Sequence, residues 1–348
     1  MQVTPLEIVR RQLTQTTHHI YSLPIVTLMP HSRCNCRCVM CDIWKANRVG
    51  QELRPEDLAV HLDSLRNLRV QWVVLSGGEA LMHSNLWTLC ELLHELKVKV
   101  SLLSTGLLLS RHAQEVIQHC DEVIVSLDGN PAVHDEIRNI PRAYERLAEG
   151  VMALKKIAPH YPVMARTVIQ RRNYKVMPQI IESARNLELD SISFLAADVS
   201  STAFNRPEGW TDERASDVAL SRQEVIEFKE IVERLIAQYV DEIASGFVVE
   251  SPEKLRRLAR YFAAVNGSEN FPLVTCNAPW VSAVVEADGT VRPCFFHRSL
   301  GNIHEQLLEN ILNSNEGVTF RRNLVVSEDP ICRRCTCSLV FGRRATVD

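Results

Sequence analysis

The stretch Cys34-Asn35-Cys36-Arg37-Cys38-Val39-Met40-Cys41 decides how the rest of this 348-residue chain is read. Four cysteines in eight residues cannot pack a core, and an apolar run over 24–29 stands just before them. Sulfur at this density points to metal or redox chemistry. Cys34, Cys38 and Cys41 have the spacing C-x3-C-x2-C. Three thiolates on one tight loop can hold three irons of a four-iron cube and leave the fourth open to a ligand. Cysteine thiolates are the usual ligands of such clusters, and hydrogen bonds and exposure set the potential. Cys36 offers an alternative register. Cysteines at short spacing also bind zinc, so a zinc knuckle is the competing reading of the loop taken alone.

The bulk numbers narrow the function classes. A chain of this length supports one large or two modest domains. Hydrophobic residues make up 46% and charged residues 23%, as in ordinary globular proteins. With 39 Lys and Arg against 42 Asp and Glu, the formal charge is −3, and no global basic surface argues for nucleic acid. No apolar run approaches the ~18–20 residues of a membrane span. The opening MQVTPLEIVRRQLTQTTHHIYSL lacks the apolar core of a secretory signal and reads as an amphipathic helix. Eleven cysteines without an export signal argue for thiols and metal in a reducing compartment, so the expectation is cytoplasmic, with no membrane and no nucleic-acid partner.

From residue 24 short apolar or β-branched runs alternate with helical patterns. Strands are expected over 24–29, 72–75, 99–103, 122–125, 163–169 and 191–195, and helices over 54–68, 84–96, 110–119, 144–157 and 176–187. Six such alternations imply a parallel sheet with right-handed crossovers. Every unusual polar motif lies just past the C-terminal end of a strand, where α/β barrels put their active sites. The expected fold is α/β, a partial (β/α)6 barrel. After Leu195 the pattern breaks: 196–220 reads as a polar loop or lid with Asp198, Asn205, Arg206 and Trp210. Then come helices over 221–243 and 252–264, a hairpin around Glu286-Ala287-Asp288-Gly289, and helices near 303–313 and 316–324.

The second strand ends on Ser76-Gly77-Gly78-Glu79, about forty residues beyond the cysteine loop. With this motif, the loop resembles that of the radical S-adenosylmethionine (SAM) superfamily, over about 22–340. Met40 stands where many relatives have an aromatic residue, Cys36 where many have an apolar one, and Ala80 where proline is usual. The resemblance implies a radical SAM barrel, a SAM-binding [4Fe-4S] cluster on Cys34, Cys38 and Cys41, and SAM chelating the open iron. It implies that Gly77 and Gly78 let backbone approach the cofactor, that Glu79 accepts from its amine, and that Ser126 and Arg138 hold its carboxylate. A planar guanidinium suits that task. A surface salt bridge with Asp135 or Glu136 is the plainer reading of Arg138. Leu195 and Ile43 are candidates to pack the adenine, or simply core. The implied chemistry is one-electron cleavage of SAM to a 5′-deoxyadenosyl radical that removes hydrogen from a substrate. No side chain is singled out as catalytic.

A second cysteine group, Cys276-x12-Gly289-x4-Cys294 followed by Cys332-x2-Cys335, resembles the Twitch domain, the shortened form of the SPASM domain. It implies a small C-terminal α+β domain with one auxiliary [4Fe-4S] cluster on Cys276, Cys294, Cys332 and Cys335. Cys337 or His297 are substitutes for one ligand, and a zinc site is the alternative. Arg333 and Arg334 stand beside these ligands. Cys90 and Cys120 read as small core residues. The chain thus divides into a helical extension at 1–21, the barrel at 22–220, and a helical linker with the auxiliary domain at 221–348.

Substrate is where the residues say least. A ligated auxiliary cluster can take an electron from a substrate radical, so oxidation of a small molecule is the first reading, with flavodoxin or ferredoxin as electron donor. The C-terminal Arg344-Ala345-Thr346-Val347-Asp348 lacks the Gly-Gly tail of molybdopterin-precursor cyclases. Peptide maturation is the alternative enzyme reading, and a non-catalytic iron–sulfur or zinc electron carrier the alternative from another class.

Overall fold

The computed structural model describes residues 4–342, so the 344–348 tail lies outside the described residues. Strands Ile25–Leu28 (β1), Trp72–Leu75 (β2), Lys99–Ser104 (β3), Glu122–Ser126 (β4), Val163–Ile169 (β5) and Ser191–Ala196 (β6) pair in parallel in chain order. Helices connect them, as the alternation predicts. Ser282–Val285 (β7) then lies parallel on the other side of β1. Thr290–Arg292 (β8) and Gly301–Asn302 (β9) extend the sheet antiparallel, giving the order β6-β5-β4-β3-β2-β1-β7-β8-β9. The sheet does not close, so the barrel is partial.

Period-two patterning decides which side chains meet the helices. Val73, Leu75, Val100, Leu102, Val123, Val125, Val163 and Ile192 are almost wholly buried on the helix side. Burying each such side chain contributes about 1.5–3 kcal/mol. Their alternates Leu103, Ile124, Ser126, Arg166, Val168 and Leu195 face an inner cavity. Near the N-terminal ends of the strands a polar network fills the interior. Trp72 Nε1 donates to Ser101 Oγ (2.7 Å), which donates to Glu122 (2.6 Å), and Glu122 pairs with Lys99 (2.6 Å).

Three helical expectations are corrected. The 54–68 helix breaks into Pro55–Ala59 and Leu62–Asn67, because the buried His61 at the join bonds the Ile303 carbonyl (3.0 Å) and the Leu308 amide (3.3 Å). The 221–243 helix ends at Gln238, where Tyr239 leaves helical geometry and its hydroxyl donates to Glu182 (2.9 Å). The 196–220 stretch contains a helix, Asp212–Val218, capped by Thr211. Helices Arg222–Gln238 and Pro252–Val265 pack together through Phe228 and Phe262, 6.4 Å apart edge to face, with Tyr174 against Phe228. Among the described residues no helix is long and apolar enough to cross a membrane.

Candidate metal and cofactor site

Beyond β1 the cysteine loop crosses the C-terminal mouth of the sheet without regular structure of its own. Its shape is set by its neighbours. The amides of Arg37 and Val39 donate to the carbonyls of Arg138 (3.1 Å) and Ile137 (3.0 Å), which straps the loop to the end of helix Pro131–Arg138. Asn47 brackets Cys34 with two bonds of 2.9 Å. From the other side, Arg206 donates to the Met40 carbonyl (2.7 Å), Asn205 to the Asp42 carbonyl (3.1 Å), Arg214 to the Val39 carbonyl, and Trp210 Nε1 to the Asp42 carboxylate (2.7 Å). The 198–214 stretch therefore clamps the cysteine loop. Arg206 is held by Asp198 (3.1 Å) and lies 3.6 Å from the Trp210 ring centroid.

Cys34, Cys38 and Cys41 line one inner cavity of about 250 Å³, and Cys36, only 1% exposed, does not. The cavity-facing sulfurs are thus those of the C-x3-C-x2-C spacing. Cys38 is lowered to about 7 by a hydrogen bond from Cys36, with Arg138 adding to it against the effect of burial. Cys41 is pushed up to about 12 by burial, with the Cys38 charge adding to it.

Gly77 and Gly78 answer to a closer neighbour than a cofactor. A Cβ on Gly78 would meet the Arg33 carbonyl oxygen at 1.9 Å, and one on Gly77, at φ +112°, the His31 oxygen at 2.8 Å. The Glu79 amide donates to that Arg33 carbonyl (2.8 Å), so the turn fastens the approach to the cysteine loop. Both glycines also line the cavity. Glu79 is 1% exposed and lies behind the wall. Its carboxylate accepts from the Thr105 amide (2.7 Å), the Thr105 hydroxyl (2.6 Å) and Ser104 (3.0 Å), residues that do line the cavity. Burial raises its pKa, and these hydrogen bonds work against the rise.

Ser126 and Leu195 line the cavity, as does Ile43. Arg138 also lines it and is 6% exposed, which corrects the reading of a surface pair. Glu136 bonds Arg172 (3.0 Å), and Asp135 accepts from the amides of Arg142 and Tyr144, both at 2.8 Å. Arg138 pairs with Asp128, and its Nη1 lies 3.5 Å from Cys38 Sγ. Burial raises the Asp128 pKa, and the facing guanidinium opposes this. Asp128 stands in Ser126-Leu127-Asp128-Gly129. Its signal was an acid placed just past a strand end.

The second cysteine group gathers under the β7–β8 hairpin, whose turn is made by Gly289 at φ +81°. Burial and the neighbouring thiols Cys335 and Cys276 push Cys294 up to about 11. Cys335 is lowered by a hydrogen bond from Cys337. Cys332 Sγ lies 3.3 Å from Nε2 of the buried His297, with Asp329 beside both. Arg334 stacks over Phe271, while the half-buried Arg257 supplies positive field at Cys335. Thr336 and Cys337, next to the second group, reach the same cavity as Cys34, Cys38 and Cys41, and Cys335 lines a neighbouring pocket that shares Asp198 and Phe296 with this cavity. An outer cleft of about 350 Å³ adjoins it across Gly78, Phe204, Arg206 and Phe296, and is lined further out by Glu286, Asp288 and Arg292. Cys90 and Cys120 are buried in the core away from either group.

A model of the radical SAM superfamily matches residues 28–184, and a model of an iron-sulfur cluster-binding domain, SPASM, matches 276–336. The chain carries a radical SAM domain. Behind it lies a SPASM iron-sulfur domain, in keeping with the Twitch/SPASM-like domain that the second cysteine group implies. Over 317 residues it is 23% identical to AlbA, the antilisterial bacteriocin subtilosin biosynthesis protein of Bacillus subtilis, across 88% of this chain and 63% of AlbA. It is 27% identical over 158 residues to the AdoMet-dependent heme synthase of Methanosarcina barkeri, across 44% of this chain and 45% of that protein. The chain thus spans less than two thirds of either relative. Streptococcus suis SuiB bound to S-adenosylmethionine superposes with TM-score 0.64 at 13% identity, over 96% of this chain and 77% of SuiB. Native anSMEcpe with bound AdoMet superposes with TM-score 0.65 at 17% identity, over 88% and 84%. These likenesses are of fold.

Radical SAM and SPASM domains imply SAM, a SAM-binding [4Fe-4S] cluster and auxiliary [4Fe-4S] iron, and the residues fit such groups. Three of the four loop sulfurs face the cavity. The buried Nε atoms of Arg138 and Arg206, two guanidiniums bordering it, have no protein partner. Soft thiolates with nearby fixed cations suit an anionic cluster.

Proposed function

We propose that this radical SAM enzyme modifies a peptide, entering by the outer cleft, through hydrogen-atom removal in the inner cavity. The observation that carries the reading is that Cys34, Cys38 and Cys41 share one cavity with Cys337, beside the second cysteine group, and that this cavity adjoins a charged cleft. Cys34, Cys38 and Cys41 would hold the SAM-binding cluster, and Cys276, Cys294, Cys332 and Cys335 the auxiliary one. Bound there, cluster and SAM supply reductive cleavage of the sulfonium and a hydrogen-abstracting carbon radical. The chain itself positions and excludes. The 198–214 clamp fixes the loop, Ile43 and Leu195 offer apolar wall to the adenine, and Ser104 and Thr105 present the Glu79 charge toward the amine. An electron donor such as flavodoxin or ferredoxin supplies the reducing electron, in the cytoplasm.

A peptide substrate is supported by a relative that matches 88% of the chain and is named for bacteriocin biosynthesis, and by matches to SkfB, named for sporulation killing factor maturation, and to a PqqA peptide cyclase. Small-molecule oxidation is the second reading. The heme synthases favour it but match only 44% of the chain. The test is anaerobic reconstitution with iron and sulfide, followed by reduction with SAM. Formation of 5′-deoxyadenosine is expected; a fully iron-loaded protein that forms none under strong reductants returns the chain to the electron-carrier class. Deuterium transfer into 5′-deoxyadenosine from labelled peptides encoded beside the gene, but not from small metabolites, then supports the peptide. The opposite pattern overturns it.

A further inference from the structure

Cys276, Cys294, Cys332 and Cys335 do not share one kind of neighbour. Backbone amides donate to three of them: Ala278 to Cys276 (3.4 Å), Phe296 and His297 to Cys294, and Cys337 to Cys335. Cys332 Sγ instead faces a side chain, with Nε2 of His297 at 3.3 Å. That ring is built into the domain. His297 is 4% exposed, its ring meets Phe320 edge to face with centroids 4.9 Å apart, and its carbonyl accepts from Arg292 (3.1 Å). Asp329 completes the corner. Its Oδ1 accepts from the amides of Ile331 (3.0 Å) and Cys332 (2.8 Å), which fixes the turn that presents the sulfur. The same oxygen lies 3.8 Å from Nε2, beyond hydrogen-bond reach. Nε2 therefore faces a sulfur and a carboxylate, both acceptors, so it carries the ring hydrogen and the sulfur is its nearer partner. Four cysteines complete the ligation of a cube, which leaves the imidazole as a donor. An N–H aimed at a cluster thiolate favours the reduced, more negative cluster.

We propose that His297, through a hydrogen bond from Nε2 to Cys332 Sγ, raises the reduction potential of the auxiliary cluster and so sets how readily that cluster accepts an electron. It is a positioning residue, since it acts through Cys332 and touches no substrate. This rests on the reading above that these four cysteines hold a [4Fe-4S] cluster.

The test uses reconstituted full-length holoprotein in an EPR-monitored redox titration at one pH. The first cluster is recognised by its spectral change on adding SAM, the auxiliary one by its indifference to SAM. Iron content and unfolding midpoint show that H297L and H297Q fold and load. H297L, which has no donor, is expected to shift the one-electron equilibrium of the auxiliary cluster at least tenfold toward the oxidised form, about 59 mV lower in potential. H297Q, whose amide can reach the same sulfur, is expected to recover most of that shift. The first cluster's potential should move in neither. A second reading needs no variant. With histidine isotope-labelled at its ring nitrogens, pulsed EPR of the reduced auxiliary cluster is expected to show a weak nitrogen coupling passed across the hydrogen bond. If H297L sheds the second cube, this labelled wild type decides. An unmoved potential in H297L overturns the proposal. So do equal shifts in H297L and H297Q, since packing alone then accounts for them. A strong coupling, that of an imidazole bound to iron, makes His297 a ligand instead, and no coupling at all removes the bond. A wild type with about four irons and no second signal withdraws the auxiliary cluster and this proposal with it, and the iron count separates that failure from the others.

Discussion

Arg138 Nη1 stands 3.5 Å from Cys38 Sγ while Nη2 of the same guanidinium pairs with the buried Asp128 carboxylate. One fork thus joins the end of β4 to the cysteine loop. Removing the cation strands a carboxylate that is wholly out of water, and breaking a buried pair in this way costs about 3–5 kcal/mol. R138Q is expected to lower the unfolding free energy of the metal-free protein by that order in denaturant titrations. D128N, which leaves a neutral acceptor for the guanidinium, is expected to lower it less. Equal stability of R138Q and wild type would show that the pair carries no structural load.

The two sulfur groups are expected to fail separately. Two four-iron cubes give about eight irons per chain. Cys38→Ala is expected to lose SAM cleavage entirely. Cys335→Ala is expected to hold about four irons and retain some 5′-deoxyadenosine formation. Equal loss of cleavage in both, with the first cluster spectroscopically intact in the second variant, contradicts distinct roles.

Gly78 has no room for a side chain, since its Cβ would lie 1.9 Å from the Arg33 carbonyl oxygen. That carbonyl belongs to backbone and cannot swing away. G78A is expected to displace the start of the cysteine loop and to lower iron incorporation at the first site. Iron at Cys276, Cys294, Cys332 and Cys335 should be spared. Normal incorporation at both sites would show that the loop tolerates the shift.

Glu250 links stability to pH. Burial raises its pKa from 4.5 to about 7, with the Phe194 amide opposing the rise. Below pH 4.5 the group is protonated in both folded and unfolded chains. Between 4.5 and 7 the folded chain holds the proton and the unfolded one does not, so stability falls as pH rises through this window and levels off above it. The loss from this group is on the order of 3 kcal/mol. E250Q should flatten that part of the profile, seen as a wild-type-minus-variant difference in unfolding free energy. A parallel profile in the variant would assign the slope to other groups.

Much of this architecture can be read from residue order, and the unread parts share a physical cause. The strands over 72–75 and 163–169 are found with those bounds, because a half-buried strand writes its pattern locally. The cysteine loop and the Ser76–Glu79 turn are equally local. The clamp is not. Arg206 reaches Met40 across 166 positions and Arg214 reaches Val39 across 175, and no periodicity in 196–220 announces either contact. The burial of Arg138 is hidden for a related reason: its partner Asp128 is ten residues away, whereas Asp135 and Glu136 are the acids nearest to it in the sequence. The parallel seat of β7 beside β1 joins Ile25 to Ser282, a pairing that only the assembled sheet reveals.

That seat has a consequence for how the molecule comes into being. During synthesis, Ile25–Leu28 waits with one row of amides and carbonyls unclaimed until Ser282–Val285 leaves the ribosome. An unclaimed strand edge invites adhesion to other chains. The nascent protein is therefore most vulnerable over its middle two hundred and fifty or so residues of translation. Any attempt to express the barrel without its tail would freeze the chain at that vulnerable stage.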